Sequence, residues 1–176
     1  VFGFFTAIFL IYVFFEWDYD YSKYKVECNT KISTKDLVGY YIKFRMRRNA
    51  HYDEDGVYIS DFGPLTGKHH FTTAIAQVGL ASYEEYLATR EQKYRKKFLA
   101  QADWLASAQL KIDSKFGLWR EDFDVIGHGV QAPWSSAMAQ AQAISVLLRA
   151  YQLTGKDAYL KSAQMGMSAF LSLIHI

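Results

Sequence analysis

The sequence predicts a mainly α-helical chain: an incomplete α/α toroid of helical hairpins, preceded by a small β-hairpin region and an amino-terminal apolar helix. Three observations predict it. Residues 1–15, VFGFFTAIFLIYVFF, are apolar apart from Thr6 and the hydroxyl of Tyr12. An Asp-Gly turn at 55 and 56 sits between short β-forming runs. From Thr72 onward the apolar spacing is helical, and the pattern recurs later in the chain.

The amino end is read as a single-pass membrane anchor over residues 1–22. Fifteen helical residues span roughly 22 Å, against a hydrocarbon core of roughly 30 Å. The chain begins with Val, and a few further apolar residues upstream would complete a span. Trp17, Tyr19 and Tyr21 then resemble an interfacial aromatic belt. No basic flank precedes the run and no small-x-small site follows it, which argues against a cleaved signal peptide. A buried core helix is the alternative. Lys23 and Lys25 are mixed with Glu16, Asp18 and Asp20, so orientation stays open.

Residues 23–70 form the expected linker and β-hairpin segment. LVGYYIKFRMR, from Leu37, alternates in the manner of a strand, and HYDEDGVYISDFGPLTG, from His51, reads as a hairpin. The DEDG turn is not an EF-hand. With Gly56 sixth in the loop, Asp would be needed at 51 and Glu at 62, where the chain has His51 and Phe62. His69 and His70 are adjacent and point different ways, without a third ligand at zinc spacing. Neither a metal nor a cofactor is expected.

Residues 71–176 carry the repeat. TTAIAQ matches SSAMAQ 63 positions later (72 to 135), and Tyr94, Phe98, Ala102 and Leu105 match Tyr159, Ala163, Met167 and Phe170 at 65 (94 to 159). Each copy reads as a helical hairpin whose second helix has an apolar stripe at spacings of four, four and three. Hydroxyl residues open the first helix of each copy as candidate caps. Pro133 precedes the second copy, and Gly155 with Lys156 ends one helix before the next. Two such hairpins across a long non-helical connection suggest the toroid. Two copies do not close a ring, so the chain is read as a fragment or as part of an assembly, with a homodimer left open. FLSLIHI ends without a helix cap, which favours the fragment. In this alignment Gln140 repeats Gln77 and is read as architectural, whereas Gln142 falls opposite Gly79.

Composition excludes some classes. Hydrophobic residues make up 51% and charged residues 22%, which suits a globular chain. The net charge of +2 gives no basic stripe for nucleic acid, and RMRR at 45–48 reads as a solvated segment. Cys28 is the sole cysteine, so no intrachain disulfide forms. Aromatics reach 17%, which serves packing and carbohydrate contact alike.

Several blocks of the chain together resemble the carboxy-terminal domain of the heparosan (heparan sulfate) D-glucuronyl 5-epimerases. They are VGYYIKFR, DEDGVYISDFGPLTG, TTAIAQVGLASYEEYLAT, KFLAQADWLASAQ, GLWREDFD and, most specific, PWSSAMAQAQAISVLLRAYQLTG. Ala141 stands where the family usually has glycine, and His69-His70 where it often has Tyr-Asn. The resemblance implies an isomerase that inverts carbon five of D-glucuronate in an acidic polysaccharide. It implies no cofactor, and a location facing the periplasm or the Golgi lumen, the compact layout favouring the periplasm. It also implies that the catalytic, tyrosine-rich segments lie downstream, so no catalytic residue is assigned within the chain. In a toroid the loops at one end of the inner helices line the site. That places Trp119, Arg120 and Glu121 at the mouth, with Trp134, Ser135 and Gln142 as further substrate contacts. Two other functions fit less closely. One is a toroid hydrolase or lyase using Glu121, Asp122 and Asp124; the other is a non-catalytic polysaccharide-binding module.

Overall fold

A computed structural model describes residues 27–29, 37–46 and 50–173. The proposed anchor at 1–22 lies outside the described residues. Among those described, no helix is long and apolar enough to cross a membrane.

The chain is mainly helical with small antiparallel hairpins. Strand β1 (His51–Tyr52) pairs antiparallel with β2 (Tyr58–Asp61), placing Tyr52 opposite Tyr58. The turn between them is the one the sequence marks. Gly56 adopts φ 81°, and Asp53 Oδ1 accepts the Val57 N–H at 2.8 Å. A short helix α1 (Gly63–Thr66) leads to β3 (Lys68–His69), which pairs back onto β2. Among the described residues the expected strand from Leu37 is reduced to a single bridge, Cys28 to Ile42, and the rest of residues 37–46 is irregular. Beside the two backbone bonds that flank the bridge, Asn29 N–H to the Tyr41 carbonyl and Lys43 N–H to the Glu27 carbonyl, side chains tie its backbone down. Arg149 donates to the Gly39 carbonyl at 2.7 Å, and Glu84 accepts the Tyr40 N–H.

Helices α2 (Thr72–Thr89) and α3 (Gln92–Ala108) form the first helical hairpin. A second β-hairpin follows, β4 (Leu110–Ile112) with β5 (Phe116–Leu118), turning through Asp113 and Ser114, both at positive φ. After a loop with one 3-10 turn (Ile126–His128) come α4 (Ala137–Thr154) and α5 (Asp157–Leu173). The helical hairpins pack side by side through α2 and α4. Buried Ala74, Ala76, Gly79, Ala139 and Ala143 allow that approach, around a core of Ile75, Leu80, Phe98, Leu105, Val146 and Leu147.

The structure moves the repeat by two residues. Both α2 and α4 are 18 residues long and start 65 positions apart (72 to 137). Their ends are built alike. The N–H of Arg90 bonds the Tyr86 carbonyl at 2.8 Å, and that of Gly155 bonds Tyr151 at 2.7 Å, each capping residue being left-handed. Thr89 and Thr154 both donate their hydroxyls four residues back. Gln142, not Gln140, therefore takes the place of Gln77. The caps differ at the other end. Ser136 accepts the Ala139 N–H as expected, but Thr72 and Thr73 lie inside α2, and Pro133 stands in the preceding loop.

Buried amides join strands to helices. Gln101 of α3 accepts the Tyr58 N–H at 3.0 Å and donates to the Gly56 carbonyl at 2.8 Å. Gln140 of α4 accepts the Trp119 N–H at 3.3 Å and donates to the carbonyls of Gly117 and Gly166. One helical position thus carries Gln101 in the first copy and Gly166 in the second, 65 apart (101 to 166). A side chain at Gly166 would press on Trp119 and Ile144 at 3.0 Å. The glycine leaves that space to Trp119, and the amide comes from the neighbouring helix.

Replacing Gln140 by Leu strands a buried N–H and carbonyls without partners. It is expected to lower stability by about 2–4 kcal/mol, read as a lower urea midpoint at unchanged slope.

Candidate functional site

The two hairpins repeat in sequence as well as in shape. GVYISDF and GLWREDF align 61 positions apart (56 to 117, 62 to 123). The helical alignment alone does not reveal this, but the shared glycine and Asp-Phe pair were legible. The repeat brings two phenylalanines together at the helix starts: Phe62 and Phe123 have ring centroids 5.2 Å apart. His69 stacks on Phe123 at 4.2 Å, and Phe71 and Trp134 close the cluster. Phe62, Phe123 and His69 were not among the sequence-derived candidates.

On one side of the cluster lies a polar cavity of about 290 Å³. It is bounded by His69, His70, Thr72, Trp104, Trp119 and the run Arg120 to Phe123. Three of the six candidates therefore meet here. Trp119 is 2% exposed, and its indole N–H donates to the Leu105 carbonyl at 2.8 Å, so most of the ring serves the core. Arg120 is exposed and paired with Asp122, Nε to Oδ1 at 2.8 Å. Glu121 is 3% exposed and accepts the Thr72 N–H at 3.1 Å. That carboxylate supplies the cap that α2 lacks locally, since Phe71 offers none. Burial pushes the Glu121 carboxyl up from its usual value, and the bond from Thr72 only partly offsets this.

The other three candidates stand elsewhere. Trp134 is at the rim, bridged to the Glu121 backbone in both directions, with its indole N–H on the Phe123 carbonyl at 2.8 Å. Ser135 is exposed, one residue before the cap of α4. Gln142 is 4% exposed within α4, and its Oε1 has no hydrogen-bond partner among the described residues. Neither Ser135 nor Gln142 reaches the cavity.

Opposite His69, His70 is held by Asp53 at 2.9 Å. The histidine pair, with its rings on different partners, forms an aromatic wall of the cavity together with Phe123 and Trp104.

Residues 112–175 match the family described as D-glucuronyl C5-epimerase C-terminus, which bears out the resemblance over that part of the chain. A similar protein is an uncharacterized protein of Methanocaldococcus jannaschii, 30% identical over 86 residues. The match covers 45% of this chain and 28% of that protein, so the chain spans little more than a quarter of that relative. No solved structure matches the chain.

Glu121 yields a pH prediction. With a folded-state pKa above the usual 4.5, the folded protein holds this proton more tightly than the unfolded chain. Its contribution to stability is present below 4.5 and is lost as pH rises from there through the folded-state value. Glu121→Gln keeps an acceptor for Thr72 without the charge. Relative to the native chain, that variant is expected to gain stability between pH 4 and pH 7, measured by urea unfolding at both. A gain that is constant with pH excludes the assignment.

Proposed function

We propose that the chain is part of a glucuronyl 5-epimerase that converts D-glucuronate to L-iduronate within a heparosan-like polysaccharide. The family match over residues 112–175 is the observation that carries the reading. Its supporting feature is the cavity beside Arg120 in that same matched stretch. In this reading the two helical hairpins are a portion of an α/α toroid, and the site faces an extracytoplasmic space, with the chain anchored through residues 1–22.

The reaction removes a proton next to a carboxylate and returns one on the opposite face. Two acid–base groups must flank the ring, and the charge that develops must be stabilised electrostatically. We assign this chain the binding part of that task and place the acid–base pair outside it. Arg120 is the carboxylate-recognising group. Its bond to Asp122 is exposed on both sides, and such pairs contribute little. A uronate carboxylate exchanges with Asp122 at small cost and gains two parallel N–H bonds from the guanidinium. Glu121 fixes the backbone beside it, with Trp119 behind and Trp134 at the rim. Ser135, just before the cap of α4, and Gln142, within α4, are proposed contacts for the polymer beyond this unit.

A hydrolase built on Glu121, Asp122 and Asp124 is less well supported. Glu121 and Asp124 are already engaged, by the Thr72 N–H and by the Ala132 N–H at 2.7 Å respectively.

The test is incubation of the full reading frame with heparosan in deuterated water. Deuterium at carbon five is expected, and its absence from a folded, polymer-binding protein removes the epimerase reading. Residues 23–176 alone are expected to bind the polymer without exchange. Arg120→Gln is expected to weaken polymer binding about 10-fold, measured by titration at fixed salt.

A further inference from the structure

Glu84 on α2 and Arg149 on α4 stand 65 positions apart (84 to 149), the offset of the two inner helices, and carry opposite charges. Both hold the same peptide bond. Arg149 Nη2 donates to the Gly39 carbonyl at 2.7 Å, and Glu84 Oε1 accepts the Tyr40 N–H at 3.3 Å. One peptide unit of the segment 37–46 is therefore inserted between a guanidinium and a carboxylate. Gly39 turns it there with φ 74°, in the left-handed region that favours glycine.

That arrangement leaves a buried cation without a counter-charge. Arg149 is 6% exposed, and no ion pair among the described residues includes it. Its Nη1 bonds the Ser145 carbonyl and hydroxyl four residues back, and its guanidinium carbon lies 5.5 Å from the centre of the Tyr40 ring. Its Nε has no partner among the described residues. Burial pushes the guanidinium down from its usual value, and Tyr83, Tyr40 and Glu84 stand near enough to oppose this. Removing a partner from a buried charge is strongly destabilising. The segment therefore leaves Arg149 only if another acceptor takes its place, and Glu84 is the carboxylate one peptide unit away.

The segment itself is weakly held. None of residues 37–46 is fully buried, and Tyr41, Lys43 and Arg45 are exposed. Tyr40 stacks on Phe44 with centroids 5.6 Å apart, and both rings pack against the edge of the core. Segments with few buried contacts open while the rest of a protein stays folded.

We propose that residues 37–46 are a releasable strap, and that Glu84 and Arg149 close on each other as an ion pair when it lifts. With the strap docked, one peptide unit satisfies both side chains. With the strap lifted, the carboxylate replaces the carbonyl and neither charge is left alone. The grip lies in the last two turns of α2 and α4, whereas the cavity beside Arg120 lies at the start of α2, so lifting leaves that cavity in place. It adds up to roughly 33 Å of extended chain ahead of the first β-hairpin.

Two measurements on the full chain test this. Amide exchange at Tyr40 is expected to run at least about 100-fold faster than at Val146, through an opening that leaves Val146 protected. Equal rates with equal urea dependence mean that the segment leaves only with global unfolding, and overturn the strap. The second measurement uses Gly39→Pro, whose ring fixes φ near about −65° and holds the strap off. Its helices are expected to remain by far-UV circular dichroism, and their loss also overturns the strap. In the Gly39→Pro background, Glu84→Gln and Arg149→Gln are introduced singly and together. They are expected to be coupled by at least about 3-fold in the unfolding equilibrium constant, the pair costing less than the two singles combined. Independent effects in that background overturn the ion pair.

Discussion

Each strand hairpin of the protein is clamped to a helix by a buried glutamine amide, and the placement of the residues that follow it depends on that contact. A carboxamide is suited to the task because it donates and accepts in one plane. Gln101 spans Gly56 and Tyr58, and Gln140 spans Gly117 and Trp119, in each case a carbonyl and the N–H two residues on. The strands are too short to hold themselves, since β1 has two residues and β5 three. Once clamped, each brings the next four residues to the start of α2. The aromatic cluster and the cavity beside Arg120 follow from that placement.

The pairing also explains how two copies with the same backbone came to have different chemistry. The first copy places the amide on α3, opposite Gly79; the second places it on α4, opposite Gly166. Large and small residues have changed places across the contact, which preserves packing while freeing the hairpin positions to diverge. Arg120 and Glu121 answer to Ile59 and Ser60. A buried carboxylate therefore caps α2 from the second hairpin, and the helical hairpins are tied together at the site itself.

Much of the fold was legible because it rests on local rules. The Asp-Gly turn fixed the first hairpin, and helical periodicity with the threonine and glycine ends fixed four long helices. The register of the repeat was not, because TTAIAQ and SSAMAQ match as letters while serving different turns: the threonines lie within a helix and the serines precede one. The segment from Leu37 alternates like a strand but, among the described residues, pairs only around the Cys28–Ile42 bridge, and side chains of Glu84 and Arg149 also hold it. At the site, the loop from Trp119 to Glu121 was named from the family resemblance and the toroid it implies, and these three residues line one cavity. Burial of Trp119, and the meeting of Phe62 with Phe123 across 61 positions (62 to 123), depend on tertiary contacts that no single window contains.

The central claim is that the glutamine clamps, and not the short ladders, fix the hairpins on the helices. Amide hydrogen exchange resolved at Tyr58 and Trp119 tests it most directly. The account predicts that both amides exchange as slowly as those of Phe98 and Val146 in the helical core, since they open only when the clamp opens. Exchange of Tyr58 and Trp119 at the rate of exposed hairpin amides such as Lys111, with the helices still protected, would contradict it.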